Sequence, residues 1–236
     1  MGSKGLRPFA GFLRAETLKG NMIKALIFDF DGVVLESADI KTEAFERLFE
    51  GEFPQHVKEI VGHHLKNKGI SRFVKIRHAY DNIIKIHLSK ELEQELGRRF
   101  SEIVLKEVLN APFVPGTFEF IEKRHKTYPI YVATGTPEEE MLYIAEKRGL
   151  TKYFNEIQGS PSKKTEIIVD ILTRYGYSPS EVLFVGDATT DMQAASKTGV
   201  HFVARITPNS ESELLKCQHK IKDLTKFYEF IKNFPI

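Results

Sequence analysis

The chain has 236 residues, a length that suits one domain with an insertion or two unequal domains. Hydrophobic residues make up 42% and charged residues 28%, as in a globular protein with a sizeable core. The 34 basic and 32 acidic residues nearly balance, so the charge favours neither a nucleic-acid partner nor a membrane surface. The single cysteine, Cys217, excludes an intrachain disulfide and a multi-thiolate metal site, and it fits a reducing, cytoplasmic location. No apolar run approaches the ~20 residues that a transmembrane helix needs.

Residues 1–21 differ in composition from the rest of the chain. They carry four basic residues against one acidic residue, Glu16, with little serine and no long apolar core. This pattern predicts an extension outside the fold. A targeting peptide, an expression leader and a translation start at Met22 remain alternatives.

Helical periodicity runs through residues 37–111, which we call the helical insertion. The apolar spacing predicts four helices with no convincing strand: Ala38–Glu50, Gln55–Leu65, Ser71–Ile86 and Lys90–Leu109. A helical block of this size, inserted directly after the first strand, is typical of a cap or lid that excludes water from a site. The sequence therefore predicts a separate all-helical cap at 37–111.

The remaining segments, 22–36 and 112–236, alternate between strand and helix. The strands predicted are Ile23–Phe30, Pro129–Thr134, Glu181–Val185 and His201–Ile206, with a short strand or turn at Tyr153–Gln158. The helices predicted are Thr117–His125, Pro137–Gly149, Thr165–Tyr175 and Asp191–Thr198, followed by a mostly helical tail at Ser210–Phe234. This alternation predicts an α/β fold with a Rossmann-like parallel sheet core.

Two aspartates, Asp29 and Asp31, end the first predicted strand. Residues i and i+2 of a strand point the same way, so both side chains should project from its carboxyl end, where open α/β sheets bind ligands. Two neighbouring buried carboxylates are costly unless something compensates their charge. A hard divalent cation such as Mg²⁺ would do so. The alternative is a strand end with two solvated acids at a turn.

Further polar residues follow two later strands. Thr134 and Gly135 offer a hydroxyl and a free backbone N–H to an anion, although a plain turn with a helix cap would look the same. Gly186-Asp187 is followed by Asp191, which either joins a metal site or caps the next helix. Together the strand ends supply three or four converging carboxylates, a set that suits an octahedral cation with oxygen ligands.

A pair of lysines, Lys163 and Lys164, precedes the helix predicted at Thr165–Tyr175. A lysine in this place would neutralise a phosphate and hold a carboxylate nucleophile. The alternative is that both are solvated surface charge.

These motifs, in this order, resemble the haloacid dehalogenase superfamily of phosphotransferases. The first motif, D-F-D-G-V-V from Asp29, and the last, G-D-A-T-T-D from Gly186, are close matches, and the resemblance covers roughly Met22 to Ile206. The helical insertion looks like the C1-type cap of the phosphoglycolate phosphatase and β-phosphoglucomutase branch.

The resemblance implies catalytic roles for several residues. Asp29 is expected to attack phosphorus and become an aspartyl phosphate. Asp31 is expected to protonate the leaving alkoxide and then to activate water. Thr134, helped by the N–H of Gly135, is expected to bind the transferring phosphoryl group.

The resemblance also implies a metal site and an active-site lysine. Mg²⁺ is the expected cofactor, held by Asp29, the backbone carbonyl of Asp31 and the side chain of Asp187. Asp191 is expected to bind the ion through a water molecule or to lie behind its direct ligands. Lys164 is the preferred lysine because it directly abuts the helix, although the pair with Lys163 is ambiguous and departs from the commoner K-P-x-P form.

The leading functional prediction is a Mg²⁺-dependent phosphatase for a small-molecule phosphate ester, because Asp31 and Asp187 favour phosphoryl transfer over dehalogenation. A β-phosphoglucomutase-like phosphomutase is the alternative, since Lys68-Gly69-Ile70-Ser71-Arg72 is similar to the K-G-x-S-R segment of those enzymes. In that case Ser71 and Arg72 would bind a sugar phosphate; otherwise Ser71 caps a helix and Arg72 is solvated. A non-catalytic binding protein on the same scaffold is a third option.

The helical insertion gives weaker hints about the substrate. His63 and His64 are candidates for substrate contact but form a poor zinc site. Five basic residues of this segment indicate an anionic or polyhydroxylated small molecule: Lys66, Lys68, Arg72, Lys75 and Arg77. The expected assembly is a monomer or a homodimer.

Overall fold

The computed structural model describes residues 22–235, so the predicted extension at 1–21 lies outside the described residues. Six strands form one sheet in the order β3-β2-β1-β4-β5-β6, and every neighbouring pair is parallel. Their bounds are β1 Ala25–Phe28, β2 Ile130–Pro137, β3 Glu156–Ser160, β4 Val182–Gly186, β5 His201–Arg205 and β6 Lys220–Ile221. The predicted α/β class with a parallel sheet is confirmed.

Four α-helices follow β1 before the chain returns to the sheet: α1 Ala38–Phe49, α2 Val57–Lys66, α3 Arg72–His78 and α4 Lys90–Asn110. The others are α5 Thr117–Arg124, α6 Glu138–Lys147, α7 Lys164–Tyr175, α8 Thr189–Thr198, α9 Ser212–Leu215 and α10 Phe227–Lys232. That residues 37–111 form a separate domain stays a prediction. Within residues 22–235, no helix combines the length and the apolar character needed to cross a membrane.

Two predicted elements differ from the structure. The helix predicted at Ser71–Ile86 is α3 followed by a π-helical segment, Ala79–Ile84, which ends at Lys85 with φ 61°. The tail contains two short helices and the edge strand β6 instead of continuous helix. Apolar spacing alone does not distinguish α from π hydrogen bonding, and a two-residue strand is too short to show a period.

The core lies on both faces of the sheet, as the alternation along β1 requires. Leu26 and Phe28 pack into one cluster, Ala25 and Ile27 into the other, and all four side chains are fully buried. The cluster around Phe28 extends into the helical insertion through residues such as Phe45. The insertion is thus packed against the sheet by a continuous apolar core, which fixes its position over the sheet edge.

Candidate active site

The carboxyl edge of the sheet and the helical insertion together enclose a cavity. From the sheet side it is lined by Asp29, Asp31, Thr134, Gly135 and Asp187. These residues follow β1 and β4 or lie in the second half of β2, and the parallel pairing of the three strands brings their carboxyl ends together. From the insertion the lining residues include Lys41, Phe45, His64, Lys68, Arg72 and Lys75.

Asp29 lies at the buried end of this cavity with 2% of its surface exposed. Its backbone N–H continues the ladder to the carbonyl of Val185 at 2.9 Å, which fixes the side chain at the end of β1. The N–H of Phe30 donates to Oδ1 at 2.7 Å, and Lys164 Nζ lies 2.9 Å from Oδ2. Burial raises the pKa of Asp29 to about 7, although the charge of Lys164 acts in the opposite direction.

Lys164 bridges Asp29 and Asp191 from the first residue of α7. Its Nζ lies 2.5 Å from Asp191 Oδ1. Burial lowers the pKa of Lys164, but the charges of Asp191 and Asp29 outweigh it and hold the pKa above its ordinary value. Lys163, in contrast, is exposed and outside the cavity lining, and its backbone N–H donates to Glu166 at 2.9 Å. The fold therefore brings Lys164, and not Lys163, to Asp29.

Asp191 caps the next helix, one of the two roles that the sequence left open, and it also binds Lys164. Its Oδ2 accepts the backbone N–H of Ala188 at 3.1 Å, which satisfies the start of α8, while its Oδ1 accepts from Lys164. Gly186 makes room for it, because a Cβ there would lie 2.4 Å from the Asp191 Cβ. Asp191 is fully buried, and both of its oxygens are engaged by the protein.

A cluster of three carboxylates could hold a cation. One oxygen each from Asp29, Asp187 and Asp191 lies within 4.8 Å of the other two. Burial, followed by the charges of Asp29 and Asp191, raises the pKa of Asp187 well above its ordinary value. A divalent cation would reverse this penalty by favouring the ionised forms. Gly32, with φ 78°, lies directly against Asp187, where a Cβ would come 2.1 Å from Oδ2.

Asp31 has different partners from Asp29. It accepts hydrogen bonds from Ser37 Oγ at 2.7 Å, from Thr136 Oγ1 at 3.0 Å and from Lys41 Nζ, which also donates to Thr136 Oγ1 at 2.6 Å. Burial raises the pKa of Asp31, but the charge of Lys41 and these hydrogen bonds outweigh it and hold the pKa below its usual range.

Lys41 and Thr136 were missed by the sequence analysis. Thr136 could have been found, because it stands two residues after Thr134 on the same strand and hence on the same face. Lys41 lies in the first turn of α1, the helix that follows the first motif, but nothing in the sequence shows that this turn faces back to Asp31.

The loop before α3 closes on the end of β2. A Cβ on Gly135 would meet the carbonyl oxygen of Gly69 at 2.4 Å. Gly69 has φ 79°, and a Cβ there would lie 2.6 Å from Thr190 Oγ1 and 3.0 Å from Lys164 Nζ. Thr134, 1% exposed, accepts the N–H of Thr136 at 3.2 Å. A side chain larger than hydrogen is therefore excluded at Gly69 and at Gly135, where the insertion meets the end of β2.

Two features of the predicted Ser71-Arg72 pair differ from expectation. Ser71 makes no side-chain capping bond at the start of α3 and lies outside the cavity lining. Arg72 lines the cavity but is not solvated: it is 4% exposed, with Nη2 at 2.5 Å from Glu140 Oε1 and Nη1 donating to Ser101 Oγ at 2.6 Å. The alternative of a capping Ser71 with a solvated Arg72 is wrong. Ser71 makes no capping bond, and Arg72 is buried in an ion pair with Glu140 of α6.

The two candidate histidines separate in the structure. His64 is buried and lines the cavity. His63 lies outside the cavity lining and stacks on His78, with ring centroids 3.6 Å apart.

Comparison with known proteins decides the family. The model of the haloacid dehalogenase-like hydrolase family matches residues 26–205. The chain belongs to this family. The predicted resemblance and the predicted hydrolase class are thereby confirmed, and the matched residues include every cavity residue of the sheet edge.

Relatives of this hydrolase include named phosphatases. It is 26% identical over 194 residues to the phosphorylated carbohydrates phosphatase of Thermotoga maritima, covering 75% of this chain and 82% of the relative. It is 25% identical over 190 residues to a phosphoglycolate phosphatase of Aliivibrio fischeri, covering 77% and 83%. The β-phosphoglucomutase of Clostridium difficile has the same fold, with a TM-score of 0.70 at 17% identity over 89% of this chain and 96% of that one.

Proposed function

We propose that this hydrolase is a Mg²⁺-dependent phosphatase that hydrolyses a small-molecule phosphate monoester through an aspartyl phosphate on Asp29. The observation that carries the proposal is the position of Asp29: a buried carboxylate, 2.9 Å from Lys164 Nζ, at the end of a cavity also lined by Thr134, Gly135 and Asp187. Relatives named as phosphatases support the same chemistry.

The donor set fits a hard cation. Asp29 and Asp187 would hold Mg²⁺ through their side chains, and the backbone carbonyl of Asp31 is a further ligand by family resemblance. Asp191 would instead orient Lys164, because both of its oxygens already have partners in the protein. When bound, Mg²⁺ neutralises charge on the phosphoryl oxygens and keeps the Asp29 carboxylate ionised.

The first step transfers the phosphoryl group to the protein. An oxygen of Asp29 attacks phosphorus, the bond from phosphorus to the ester oxygen breaks, and its electron pair stays on the leaving oxygen, which takes a proton from Asp31. Lys164, the Thr134 hydroxyl and the Gly135 N–H bind the equatorial oxygens, so charge is neutralised where it develops.

The second step returns Asp29 to its free form. Asp31, now ionised, takes a proton from water, and the water oxygen attacks phosphorus. The bond from phosphorus to the Asp29 oxygen breaks, its electron pair returns to the carboxylate, and phosphate is released. The contacts of Asp31 with Lys41 and Thr136 suit this step, because they favour the ionised carboxylate. In the first step an anionic substrate would draw Lys41 away, and burial would then raise the pKa of Asp31 so that it carries the proton.

The helical insertion would act as the cap over this chemistry. Its contact with the sheet edge, between Gly69 and Gly135, closes the cavity beside the phosphoryl-binding groups. Exclusion of water strengthens the electrostatic interactions inside and protects the aspartyl phosphate until the hydrolytic step.

A phosphomutase is the second candidate. Lys68, Gly69, Ile70 and Arg72 of the K-G-I-S-R segment line the cavity, as a cap that binds a sugar phosphate requires. The ion pair of Arg72 with Glu140 weighs against it, because the guanidinium already has a carboxylate partner. A mutase would convert a sugar 1-phosphate to its 6-phosphate with a bisphosphate primer and release little phosphate.

Phosphate release from a panel of sugar and small-metabolite phosphates tests the proposal. The assay compares Mg²⁺ with EDTA, and the wild type with Asp29→Asn. We expect steady, Mg²⁺-dependent release that Asp29→Asn abolishes. Release that persists in Asp29→Asn would contradict the nucleophile assignment. Isomerisation without release would favour the mutase, and no turnover of any ester would favour a binding protein.

A further inference from the structure

The cationic groups lining the cavity differ in whether the protein supplies them with an anion. Lys41 is paired with Asp31, and Arg72 with Glu140. Lys68, like Lys75, has no carboxylate oxygen within 4 Å among residues 22–235, but it is only half-buried. Lys75 of α3 also lines the cavity, from the side of the insertion, and unlike Lys68 it is buried.

Lys75 is buried without a carboxylate. It is 5% exposed, and within residues 22–235 no carboxylate oxygen lies within 4 Å of its Nζ. Its hydrogen-bond partner is His64, whose Nδ1 lies 3.1 Å away, and the ring of Phe45 lies 5.5 Å from Nζ. The Nζ of Lys75 therefore lies at the cavity wall, and its nearest partners, His64 and Phe45, carry no negative charge.

His64 supplies no negative charge. Its Nε2 lies 3.1 Å from Thr42 Oγ1, so a proton on Nε2 leaves Nδ1 free to accept from Lys75. Burial, followed by the charge of Lys75, lowers the pKa of His64 to about 2, so the ring is neutral at ordinary pH. His64 thus orients Lys75 towards the cavity but leaves its charge uncompensated.

A buried ammonium without a neighbouring anion is energetically costly, and this cost lowers its pKa. Burial, followed by the charges of Lys41 and Lys164, lowers the pKa of Lys75 to about 7, and the charge of the more distant Asp31 offsets only part of this effect. An acidic ligand group at Nζ would reverse this effect, since an opposite charge favours the ammonium. A neutral ligand would leave the penalty in place.

We propose that Lys75 is a specificity-determining residue that binds a second acidic group of the substrate, a carboxylate or a second phosphoryl group, on the side of the cavity formed by the helical insertion, whereas Asp29 lies on the sheet side. This rests on the proposed phosphatase function and gives it a substrate class: small phosphate monoesters that carry a further negative charge. Phe45 and Phe100, which also line the cavity, provide apolar walls beside this charge.

Matched esters and matched variants test the proposal. The esters are 2-hydroxyethyl phosphate, 2-phosphoglycolate and ethane-1,2-diol bisphosphate, which differ only in carrying a hydroxyl, a carboxylate or a second phosphate. The variants are Lys75→Met, which removes a buried charge at similar length, and Lys66→Met, which removes an exposed lysine outside the cavity lining. Thermal unfolding of each variant shows that it is folded.

We expect the wild type to prefer one of the acidic esters by about tenfold or more in kcat/KM, mostly through KM. The preferred ester identifies the acidic group. Lys75→Met should abolish this preference and leave the neutral ester within about threefold of the wild type, whereas Lys66→Met should preserve it. An equal loss on all three esters, or no preference in the wild type, would overturn the proposal.

A binding experiment separates this inference from the proposed function. The phosphonates 3-phosphonopropionate and 3-hydroxypropylphosphonate cannot be hydrolysed, so calorimetry with Mg²⁺ measures their affinities whether or not the protein is a phosphatase. Tighter binding of the carboxylate, lost in Lys75→Met, would support the inference even if no ester were hydrolysed. Propane-1,3-diylbisphosphonate tests a second phosphoryl group in the same way. Equal affinities of all three phosphonates in the wild type would overturn the inference, even if phosphate release that depends on Asp29 upheld the phosphatase.

Discussion

Lys41 pairs with Asp31 across the boundary between the helical insertion and the sheet edge. The ammonium of Lys41, in the first turn of α1, donates to the Asp31 carboxylate and also to Thr136 at 2.6 Å. The residue proposed as acid and base is therefore controlled by a side chain of the insertion. Any motion of the insertion that moves α1 would change the protonation of Asp31.

Lys41→Met should shift the acidic limb of the curve of activity against pH. The charge of Lys41 helps hold the pKa of Asp31 below its usual range, so its removal raises that pKa while burial persists. With 4-nitrophenyl phosphate, whose leaving group needs no proton, the limb reports ionised Asp31 acting as the base. At saturating Mg²⁺ we expect it to shift to higher pH by about one unit or more. If this limb does not shift, Lys41 does not set the pKa of Asp31. Lys66→Met, which removes an exposed lysine outside the cavity lining, is the control and should leave the limb unchanged.

Lys163 and Lys164 form a matched pair for substitution. Lys164→Met removes the cation beside Asp29 and should lower kcat about 100-fold or more, because a charge stabilising the transferring phosphoryl group is lost. Lys163→Met should stay within about twofold of the wild type, since Lys163 is exposed. Steady-state phosphate release measures both. Similar losses in the two variants would contradict the assignment of Lys164.

The Arg72–Glu140 pair should contribute to stability. Both groups are largely buried, so Arg72→Met leaves a buried carboxylate without its cation, and we expect the free energy of unfolding to fall by about 3 kcal/mol. The exposed pair Arg47–Glu107 is the comparison, and Arg47→Met should cost at most about 0.5 kcal/mol. Urea unfolding measures both. Adding Glu140→Gln to Arg72→Met should recover part of the loss, and no recovery would show that the charge is not its cause.

Without metal, the carboxylate cluster should make stability depend on pH. A carboxyl whose pKa is higher in the folded than in the unfolded protein favours folding below its unfolded pKa, and this stabilisation is lost as pH rises through the folded pKa. For Asp29 this stabilisation is lost between about pH 4 and about pH 7, the unfolded and folded pKa values. The pKa of Asp187 is raised in the same direction. We expect Tm in EDTA to fall from about pH 5 to about pH 8.

Addition of Mg²⁺ at the higher pH should restore Tm, because the cation binds the ionised carboxylates of the folded protein. Asp187→Asn should remove most of this effect of Mg²⁺ and also weaken the dependence on pH in EDTA. A Tm at about pH 8 that Mg²⁺ leaves unchanged would contradict the proposed metal site.

The sequence predicted the candidate site best where polar side chains stand at the end of a buried strand. Asp29, Thr134 and Asp187 could be placed together because parallel strands end at a common edge, and that rule needs no knowledge of side-chain packing. Lys164 was preferred over Lys163 from its place at the helix start, and the structure has it at Asp29. The alternating pattern likewise predicted the sheet, since buried parallel strands are continuous apolar runs.

The helical insertion was less predictable because its orientation depends on tertiary packing. Periodicity locates helices but does not show which turn faces the sheet edge. Lys41 was missed, and Arg72 and Lys75 could not be told apart from Lys66 or Arg77 by composition. Only the fold shows that Arg72 pairs with Glu140 while Lys75 does not have such a partner within the described residues.

Whether Asp29 takes up the phosphoryl group is measured most directly by trapping it there. In Asp31→Asn the hydrolytic step lacks its base, so 4-nitrophenyl phosphate labelled on phosphorus should leave the label on the protein after an acid quench. We expect a burst of 4-nitrophenol close to one equivalent of enzyme, with the label mapped by peptide analysis to Asp29 and removed by hydroxylamine. Turnover without any label on Asp29, or a label that persists when Asp29→Asn is added, would contradict the proposed mechanism.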